Sequence, residues 1–412
     1  MSARRKAPGP TILVNRLLLF ALLAVVGVAT ALVLVFYRAG RVPQPSTVPL
    51  FGEHQAGVAT TQQSFAFVAA FDVTTKSVAE LRALLQEWTA VSARMAAGRP
   101  AAEPSSSPLS PPADTGETSG YAPARLTMTF GAGPSLFDDR FGLSRLRPSA
   151  LVDIPPFAGD RLVREFSDGD LGVQICADDV QVAFHALREL IRVARGTAVL
   201  RWSQAGFRPT EAANTKEQTA RNLQGFKDGT VNIDTKNTSD MNRVVWAQQS
   251  DGAGWMAGGT YLVVRRIRMR IEVWDRSSLQ DQEATIGRNK ESGAPLGGAK
   301  ELDALNLTKE ASGVPIIPED AHVRLAHGNG TEQIFRRPYA FANGMDTRTG
   351  ELDSGLLYLV FQRDPRKQFI PIQERLAASD ALNEYIAHVG SAIFAIFPGA
   401  KAGGYVGETL LH

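Results

Sequence analysis

Two hydrophobic periodicities, and the order in which they follow each other, constrain the fold of this chain more than any other feature. Apolar residues alternate with other residues in 65–73 and again in 126–130, which predicts strands with one buried face. Between them, a capping-box pattern precedes apolar residues at helical spacing. Strands predicted at 173–176 and 198–202 flank a second amphipathic helix. The order strand, helix, strand, strand, helix, strand is that of a ferredoxin-like domain.

The C-terminal half repeats this plan without repeating the sequence. Alternation predicts a strand over 261–273, and a short helix is predicted to follow it over 277–287. The nearly continuous apolar run LLYLVFQ, residues 356–362, predicts a buried strand. A helix over 371–389 and a strand over 391–397 complete the plan. We therefore predict an α+β fold made of two ferredoxin-like domains with antiparallel sheets.

An uncharged apolar run, residues 17–37, is long enough to cross a bilayer as a helix. Basic residues are more frequent before this run than after it: Arg4, Arg5, Lys6 and Arg16 against Arg38 and Arg41. This bias predicts a cytoplasmic N-terminus and an extracytoplasmic body. The Arg4–Arg5 pair also indicates twin-arginine export. We expect an uncleaved transmembrane anchor rather than a cleaved export signal, because no convincing small-residue cleavage site follows the run.

These patterns divide the chain into successive segments. The cytoplasmic N-terminus, the anchor and a linker are predicted at 1–16, 17–37 and 38–60, and the two domains at 61–220 and 221–412. A stretch rich in proline and serine, residues 99–122, is predicted to be a disordered insertion in the first domain.

Composition excludes several classes of protein. Of the 412 residues 44% are apolar and 21% are charged, which is typical of a globular protein with room for two cores. The net charge of +2 gives no indication of a nucleic-acid partner. The single cysteine, Cys176, excludes a disulfide within the chain and any metal site built from several thiolates.

The common catalytic motifs are absent, and six histidines remain as candidates for a metal or catalytic site. The sequence contains no GxxxxGK[ST], GxGxxG or GxSxG pattern. The histidines in the linker, on the two amphipathic helices and at the C-terminus, namely His54, His185, His388 and His412, are expected to have structural roles or none. His322 and His327 remain, and neither belongs to a HExxH pattern.

The stretch NLQGFKDGTVNI, residues 222–233, places Asp228 on a loop between Gly225 and Gly229. Asp-Gly is a common turn dipeptide, because aspartate caps its own backbone and glycine adopts positive φ. The residues alone therefore leave two interpretations open, a turn and a functional carboxylate.

Several segments, in the same order, resemble the dye-decolorising, or DyP-type, haem peroxidases. NLQGFKDGT (222–230) resembles the GxxDG signature of that family. AHVRLAH (321–327) is similar to the segment with the proximal haem histidine, and IFRRPYAF (334–341) to the distal-arginine segment. The resemblance extends over 126–143, 286–296 and 369–399, and covers the chain from about Ser64 onward. The exported, twin-arginine-dependent branch is the most similar.

The resemblance implies a DyP-type peroxidase fold with one haem b per chain in the C-terminal domain. It implies that His322 is the iron ligand, with His327 as the rival, and that Asp228 is the acid–base group. Arg336 is implied as the distal arginine, with Arg337 as the alternative. A carboxylate can carry the proton between the two oxygens of hydrogen peroxide, and glycines would let its loop approach the porphyrin.

The resemblance suggests four further site residues. Arg288 is expected to meet a haem propionate, with an exposed loop arginine as the alternative. Leu359 and Phe361 are expected to wall the distal side, and a simple core role is at least as compatible with their buried strand. Asp353 is a candidate partner for the second nitrogen of His322.

The implied function is a haem-dependent peroxidase that reduces hydrogen peroxide and oxidises dye or phenolic donors by one-electron steps through a ferryl intermediate. Bulky donors could be oxidised through surface aromatic residues, for which packing is the simpler role: Trp88, Trp202, Trp246, Trp255, Trp274 and Tyr339. Two alternatives are a deferrochelatase-like protein that releases iron from haem and a non-catalytic, membrane-anchored haem-binding module. Formation of a homo-oligomer is compatible with the implied function and with both alternatives.

Overall fold

The computed structural model describes residues 47–104, 107–347 and 349–411, together with Gly27. The run predicted to be a membrane anchor, 17–37, lies outside these residues except for Gly27. Within the part of the chain that is described, no helix combines the length and the apolar character needed to span a membrane. Residues Thr47–His412 belong to one compact unit.

The N-terminal half has the predicted order of elements. It contains β1 (Phe65–Val73), α1 (Val78–Ala96), β2 (Thr127–Ala132), β3 (Leu171–Ala177), α2 (Val180–Val193) and β4 (Ala198–Phe207). Two side chains begin the helices by accepting backbone N–H groups: Ser77 from Glu80 at 3.3 Å, and Asp179 from Gln181 and Val182 at 2.9 Å. The strands pair antiparallel in the order β2-β3-β1-β4.

The C-terminal half has shorter helices and longer connections. It contains α3 (Thr238–Val244), β5 (Thr260–Met269), α4 (Ile271–Trp274), α5 (Leu279–Ile286), β6 (Glu310–Ala311), β7 (Val314–Pro315), α6 (His322–His327), β8 (Phe335–Arg336), β9 (Tyr339–Met345), β10 (Leu352–Gln362), α7 (Phe369–Ser379) and β11 (Ile386–Ile396). Its main strands pair antiparallel in the order β11-β5-β10-β9, which matches the order of the first half.

The two halves join through two short pairings. β11 pairs with β2 at Ala395–Ala132 and Ile396–Gly131, and β4 pairs with β9 at Phe207–Ala340. Together with the pairing of β5 and β10, these contacts close eight strands into a ring, and β8 adds to β10 in line with β9. The predicted α+β class with antiparallel sheets is confirmed.

The two faces of the closed sheet pack against different partners. The inner face carries alternate residues of both halves, among them Val68, Leu357, Leu359 and Phe361, which form one buried cluster. The outer face of the first half is covered by α1 and α2 through a second cluster that includes Leu84, Trp88 and Leu187. The outer face of the second half is covered less completely, and the candidate site lies there.

Two predicted elements of the second half end earlier than the periodicity indicates. The helix predicted over 371–389 stops at Ser379, because Asp380 is extended (φ −65°, ψ 122°) and accepts the N–H of Leu382. A short 3-10 helix follows, and residues 386–389 belong to β11. The strand predicted over 261–273 ends at Met269, and Ile271–Trp274 forms a helical turn.

Two segments, one predicted to be a linker and the other a disordered insertion in the first domain, pack against the body of the fold. Gln55, in the predicted linker, donates from Nε2 to the carbonyls of Phe130 at 2.7 Å and Phe397 at 2.9 Å. In the predicted insertion, Thr115 donates to Glu189 of α2, and Glu117 faces His185 at 2.9 Å. The described parts of both segments therefore contact the body of the fold.

Candidate active site

The loop that carries Asp228 is fixed by one buried aromatic residue. Phe226 is 2% exposed and packs edge to face against Trp274, with ring centroids 5.9 Å apart. The indole of Trp274 donates to the carbonyl of Gln224 at 3.1 Å, which holds the same loop from the other side. Asp228 itself donates its backbone N–H to Ala220 at 2.8 Å. The position of the carboxylate is therefore set by contacts of residues that lie two and four positions before it.

A partly buried carboxylate, that of Glu301, holds both ends of this loop. Glu301 accepts hydrogen bonds from Lys227, from Thr219 and, at 3.1 Å, from Thr230. Burial alone would raise the pKa of Glu301, but these donors hold it below its ordinary value. Arg288 in turn donates to the carbonyl of Glu301 at 3.0 Å. The loop and the segment around Glu301 therefore form one hydrogen-bonded unit.

Arg288 is buried rather than exposed. Its side chain also donates to the carbonyl of Gly293 at 2.7 Å, and the residue is 6% exposed, which excludes the exposed loop arginine left open by the sequence. Burial lowers the pKa of Arg288, and the charge of Arg336 lowers it further against the opposing charge of Glu301. Arg288 therefore lies near the candidate site, and its contact with a haem propionate stays a prediction.

The glycines around Asp228 have a conformational role. Gly225 and Gly229 have φ of +85° and +124°, values that side chains with a Cβ rarely adopt. A Cβ on Gly229 would meet nothing closer than Thr219 at 3.8 Å, whereas one on Gly225 would meet Lys290 at 2.7 Å. The observed reason for these glycines is backbone conformation, together with close packing at Gly225.

Asp228 pairs with Arg336 and keeps one oxygen free. Nη1 of Arg336 donates to Oδ1 of Asp228 at 2.9 Å, and Nη2 donates to the carbonyl of Val231 at 3.1 Å. Among the residues that the structure describes, none bonds to Oδ2 of Asp228. Burial opposes ionisation of Arg336, but the charge of Asp228 raises its pKa above the ordinary value.

Arg337 points elsewhere. Its guanidinium donates to the carbonyl of Thr60 and, at 3.2 Å, to Gln63. The residue is 2% exposed. The guanidinium of Arg337 is engaged by these groups, and Arg336 is the arginine that bonds to Asp228.

On α6, Nδ1 of His322 donates to Oδ2 of Asp380 at 2.6 Å. Asp380 is 5% exposed and is held in place by the N–H of Leu382 on its other oxygen, at 2.8 Å. The prediction that Asp353 bonds to the second nitrogen of His322 is therefore wrong, because Asp353 accepts a hydrogen bond from Arg266 at 2.6 Å instead. Asp380 reaches His322 because it ends α7, which packs against α6.

The charges around His322 connect it with the Asp228–Arg336 pair. Burial would lower the pKa of His322, but the charge and hydrogen bond of Asp380 raise it above the ordinary value. The charge of Asp228 adds to this rise, and that of Arg336 opposes it. The helix with the imidazole and the loop with the carboxylate therefore lie within electrostatic range of each other.

The donor set fits a haem. The imidazole of His322 is 33% exposed, and no described residue bonds to its Nε2. A neutral imidazole whose Nδ1 is held by a carboxylate presents a basic Nε2, which is the usual arrangement for a metal-ligating histidine. A carboxylate with a free oxygen and an arginine lie within its electrostatic range. These features match the proximal and distal requirements of a haem site.

Strand β10 presents different residues to the site than the sequence predicts. Leu359 and Phe361 are fully buried on the inner face of the sheet, in the core role that the sequence left open. Val360 pairs with Arg336 across β8 and β10, so the even-numbered residues share the face of Arg336. Tyr358 is among them. Burial raises its pKa to about 12, while the charge of Arg336 opposes the shift.

A cavity of about 500 Å³ opens beside Asp228 and Arg336. Its lining includes exposed groups, Phe207 and Arg221, so the cavity extends from the ion pair to solvent. Leu356 of β10 contributes to the lining, and His322 does not. The cavity therefore gives small molecules access to the carboxylate from the side of the loop.

The other histidines that the structure describes take no part in these hydrogen bonds. His327 is exposed at the end of α6. His388, on β11, is buried and accepts from Arg265 Nε at 3.2 Å, and burial followed by the charges of Arg265 and His322 lowers its pKa to about 3. His54 stacks on Trp246 with ring centroids 3.8 Å apart.

The aromatic relay candidates all have packing or hydrogen-bonding roles. Four indoles donate to backbone carbonyls, namely Trp88, Trp202, Trp255 and Trp274. Trp246 stacks on His54, and Tyr339 donates to Cys176 at 3.5 Å. Electron transfer through them stays a prediction.

Sequence reasoning missed Asp380, Glu301 and Tyr358. Asp380 lies 58 residues from His322 and Glu301 lies 73 residues from Asp228, so no local pattern links either pair. Only alternation along β10 could have separated Tyr358 from Leu359, and that signal is hidden in a run that is apolar on both faces.

Comparisons with known proteins agree along most of the chain. The family described as Dyp-type peroxidase, N-terminal, matches residues 55–208, and Dyp-type peroxidase, C-terminal, matches 219–401. A deferrochelatase of Escherichia coli K12 is 40% identical over 373 residues, 88% of this chain and 87% of its own. A DyP-type peroxidase of Streptomyces coelicolor superposes with a TM-score of 0.83 at 40% identity, covering 89% of this chain and 97% of that one. DtpA of Streptomyces lividans, as an oxyferrous complex, gives 0.83 at 39% identity with the same coverage.

Proposed function

Because the chain belongs to the DyP-type peroxidase family and is a haem-dependent peroxidase, we propose that Asp228, Arg336 and His322 perform its reaction with hydrogen peroxide. The observation that carries this proposal is the free Oδ2 of Asp228, held beside Arg336 and within electrostatic range of His322. When bound, the haem would supply the two electrons that reduce peroxide and would then be reduced again, one electron at a time, by an organic donor. His322 would hold it through Nε2.

Asp228 acts as a proton shuttle in this proposal. Its Oδ2 accepts the proton of the inner peroxide oxygen and then donates it to the outer oxygen, which leaves as water. A positioned acid–base group of this kind contributes about 10²–10⁴-fold to a rate. The hydrogen bond from Arg336 leaves Oδ2 unoccupied, so the carboxylate is oriented without losing its reactive oxygen.

Arg336 stabilises the negative charge that develops as the O–O bond breaks. Its guanidinium is oriented by Asp228 and by the carbonyl of Val231 at 3.1 Å, so little reorganisation is needed during the reaction. His322 is oriented by Asp380, which keeps Nδ1 protonated and leaves Nε2 available to the metal.

The direct test uses residues 47–412, the compact unit, loaded with haem. We expect the absorption spectrum to change on addition of one equivalent of hydrogen peroxide, and the Soret band of His322→Ala to be altered or lost. His327→Ala is the matched control, because His327 is exposed on the same helix, and its spectrum should equal that of the wild type. A His322→Ala protein with an unchanged Soret band would contradict the ligand assignment.

A second candidate function is release of iron from haem with the porphyrin left intact. The similarity to a deferrochelatase over 88% of this chain supports it. Porphyrin fluorescence that appears when the protein is incubated with haem, without peroxide, would favour this activity. Unchanged haem absorbance under those conditions would exclude it. A non-catalytic haem-binding module would instead keep all of its function in Asp228→Ala.

We also propose that residues 17–37 anchor the protein with its body outside the cytoplasm, and that Arg4 and Arg5 direct twin-arginine export. The apolar run and the excess of basic residues before it support this location. Protease added to intact cells should digest the body, and replacing both arginines by lysine should leave it protected inside. Homo-oligomer formation stays a prediction, which sedimentation velocity of the purified chain tests.

A further inference from the structure

The buried histidine of α2, His185, has a carboxylate oxygen beside each of its ring nitrogens. The residue is 3% exposed. Its Nδ1 forms a hydrogen bond with Oε2 of Glu117 at 2.9 Å, and its Nε2 lies 3.4 Å from Oδ2 of Asp114. A neutral imidazole has a single N–H, so it can donate to only one of these two oxygens.

The proton of a neutral His185 belongs on Nδ1, because Nδ1 is the nitrogen that is hydrogen-bonded to a carboxylate. Burial would raise the pKa of Glu117, but hydrogen bonds from Thr115, and then from Arg188, lower it to about 2, so this carboxylate is an ionised acceptor. The lone pair of Nε2 then faces Asp114, and no described residue forms a hydrogen bond with Nε2. Two acceptors at this distance in a buried site repel each other unless a cation lies between them.

A third carboxylate belongs to the same cluster. Glu189 follows His185 by four residues on α2, so the two side chains share one face of the helix, and Glu189 is 0% exposed. One ligand atom from each of Asp114, His185 and Glu189 lies within 4.8 Å of those of the other two. Oε1 of Glu189 accepts the backbone N–H and the hydroxyl of Thr115, at 2.8 Å and 2.7 Å. Rotation of that hydroxyl would free one lone pair of Oε1 for a cation.

The charges of the cluster do not balance. Three carboxylates face two cations, Arg188 and Arg192, which bind to the two glutamates at 2.5 Å and 2.6 Å. The net charge is therefore −1 while the imidazole is neutral. A further cation is attracted to a buried cluster of this sign.

The geometry is that of a metal-ligating histidine. A carboxylate at Nδ1 and a basic Nε2 turned towards other ligands is the usual arrangement, and His322 has the same arrangement with Asp380. Tetrahedral zinc with nitrogen and oxygen ligands places neighbouring ligand atoms about 3.3–3.5 Å apart. Nε2 of His185 and Oδ2 of Asp114 already have this spacing, at 3.4 Å.

We propose that His185, Asp114 and Glu189 bind one divalent transition-metal cation of the zinc type, while Glu117 holds the imidazole from the other side. An imidazole with carboxylates suits zinc, whereas magnesium and calcium prefer oxygen ligands alone. Asp114 belongs to the segment predicted to be a disordered insertion, and the other two ligands belong to α2. The cation therefore fastens the insertion to the first domain, and the inference does not depend on the reaction with peroxide.

The experiment measures zinc binding by the full-length, haem-loaded protein, purified without a histidine tag and freed of loosely bound metal by a chelator. Titration against a fluorescent zinc indicator should give one zinc per chain in addition to the haem iron. His185→Gln and Asp114→Asn should lose this site, and Glu117→Gln should bind zinc about 10–100-fold more weakly. His327→Gln and Asp139→Asn, at exposed positions, are the matched controls and should bind zinc as the wild type does.

Hydrogen exchange tests whether the cation fastens the insertion. The backbone N–H groups of Thr115 and Gly116 bond to Glu189 and Asp114, so zinc should slow the exchange of the peptide that contains them. Tm should also rise with zinc concentration, because the cation binds the folded state. His185→Gln should show neither effect, and magnesium or calcium should produce neither in the wild type.

Two results would overturn the inference. Equal zinc binding by the wild type and His185→Gln would show an adventitious ion only. Absence of zinc binding, together with a nitrogen NMR spectrum in which both ring nitrogens of His185 are protonated at neutral pH, would show that a proton takes the place assigned to the metal.

Discussion

Each half of the molecule contains a partly or fully buried aspartate–arginine pair, and the two pairs differ in how many acceptor positions are filled. In the N-terminal half, Asp170 accepts from Arg140 on both oxygens at 3.0 Å, from the N–H of Val73 at 2.9 Å and from Ser135 at 2.7 Å. In the C-terminal half, Asp228 accepts one bond from Arg336, at 2.9 Å. The carboxylate of the aspartate–arginine pair therefore has both oxygens occupied by hydrogen bonds in one half, and one oxygen unoccupied in the other.

The two halves also differ in what covers the outer face of the sheet. In the first half, α1 and α2 are long and bury Leu84, Trp88 and Leu187 against the strands. In the second half, α4 to α7 have only 4 to 11 residues each. The same strand order therefore supports a filled core in one half and, in the other, a cavity whose polar groups remain available.

The largest expected effect is on the open pair. Asp228→Asn keeps the shape of the side chain but cannot take up a proton, so we expect the rate of reaction with hydrogen peroxide to fall about 10²–10⁴-fold with haem still bound. Asp170→Asn is the matched variant of the other half, and it should leave this rate unchanged. Stopped-flow absorption after mixing with peroxide measures both rates.

Asp170→Asn should instead destabilise the fold. Burial would raise the pKa of Asp170, but Arg140 and Ser135 hold it below the ordinary value, so the ionised form stabilises the folded state. We expect a lower Tm for this variant at neutral pH, and a smaller change of Tm in Asp228→Asn. A loss of rate in Asp170→Asn without a loss of Tm would contradict the comparison.

The next largest effect separates two adjacent arginines. Lysine cannot reproduce the two-sided contact of Arg336 with Asp228 and Val231, so Arg336→Lys should lower the peroxide rate about 10²-fold. Arg337→Lys should leave the rate unchanged and lower Tm, because it removes buried hydrogen bonds to Thr60 and Gln63 worth about 1–3 kcal/mol. If Arg337→Lys is the variant that loses rate, the open pair has been assigned to the wrong arginine.

The sequence allowed the α+β class and the order of elements in the first half to be predicted, because alternation and helical spacing are local patterns. In the second half the sequence prediction lacked β9, Tyr339–Met345. The sequence also allowed Asp228, His322 and Arg336 to be named, because their segments resemble those of one family. Element ends were less predictable. The apolar residues of 386–389 continue the helical spacing of α7, and only the extended Asp380 and the pairing of β11 with β5 convert them to strand.

The supporting residues could not be predicted, because each acts across a long separation in sequence. Asp380 resembles any helix-ending aspartate until the packing of α6 on α7 brings His322 to it. Glu301 lies in a loop with no periodicity, and its contacts with Lys227 and Thr219 exist only in the folded chain. A charged residue that bonds to a loop far away in the sequence, as Glu301 does, produces no local sequence pattern from which its role could be predicted.

A third prediction compares two histidines whose partners have opposite charges: His388 faces the cation Arg265, and His322 faces the anion Asp380. Burial and the charge of Arg265 lower the pKa of His388 to about 3, so its neutral form stabilises the fold above pH 6.5, and this contribution is lost as the pH falls towards 3. His388→Gln keeps an acceptor for Arg265 but cannot be protonated. We expect the free energy of unfolding of this variant to fall by about 3 kcal/mol less between pH 6.5 and 4 than that of the wild type.

Urea unfolding at matched haem loading measures this difference, and His327→Gln, at an exposed position, is the control. Parallel pH profiles of the wild type and His388→Gln would show that His388 is protonated in the folded state at low pH, and would contradict the predicted direction.

The smallest expected effect concerns the carboxylate that acts through a histidine. Asp380, like Asp170, has both oxygens occupied, by His322 at 2.6 Å and by Leu382 at 2.8 Å, so it can orient His322 but cannot exchange a proton with peroxide. Asp380→Asn should weaken haem binding about 10–100-fold, because the amide no longer favours a basic Nε2 on His322, and should shift the reduction potential of the bound haem upward. Asp353→Asn is the matched control, since Asp353 pairs with Arg266 instead. Haem titration and redox potentiometry measure these two changes. Equal results for both variants would mean that Asp380 serves only to end α7. A loss of haem affinity confined to Asp380→Asn would show that a carboxylate with both oxygens occupied contributes to function by position alone.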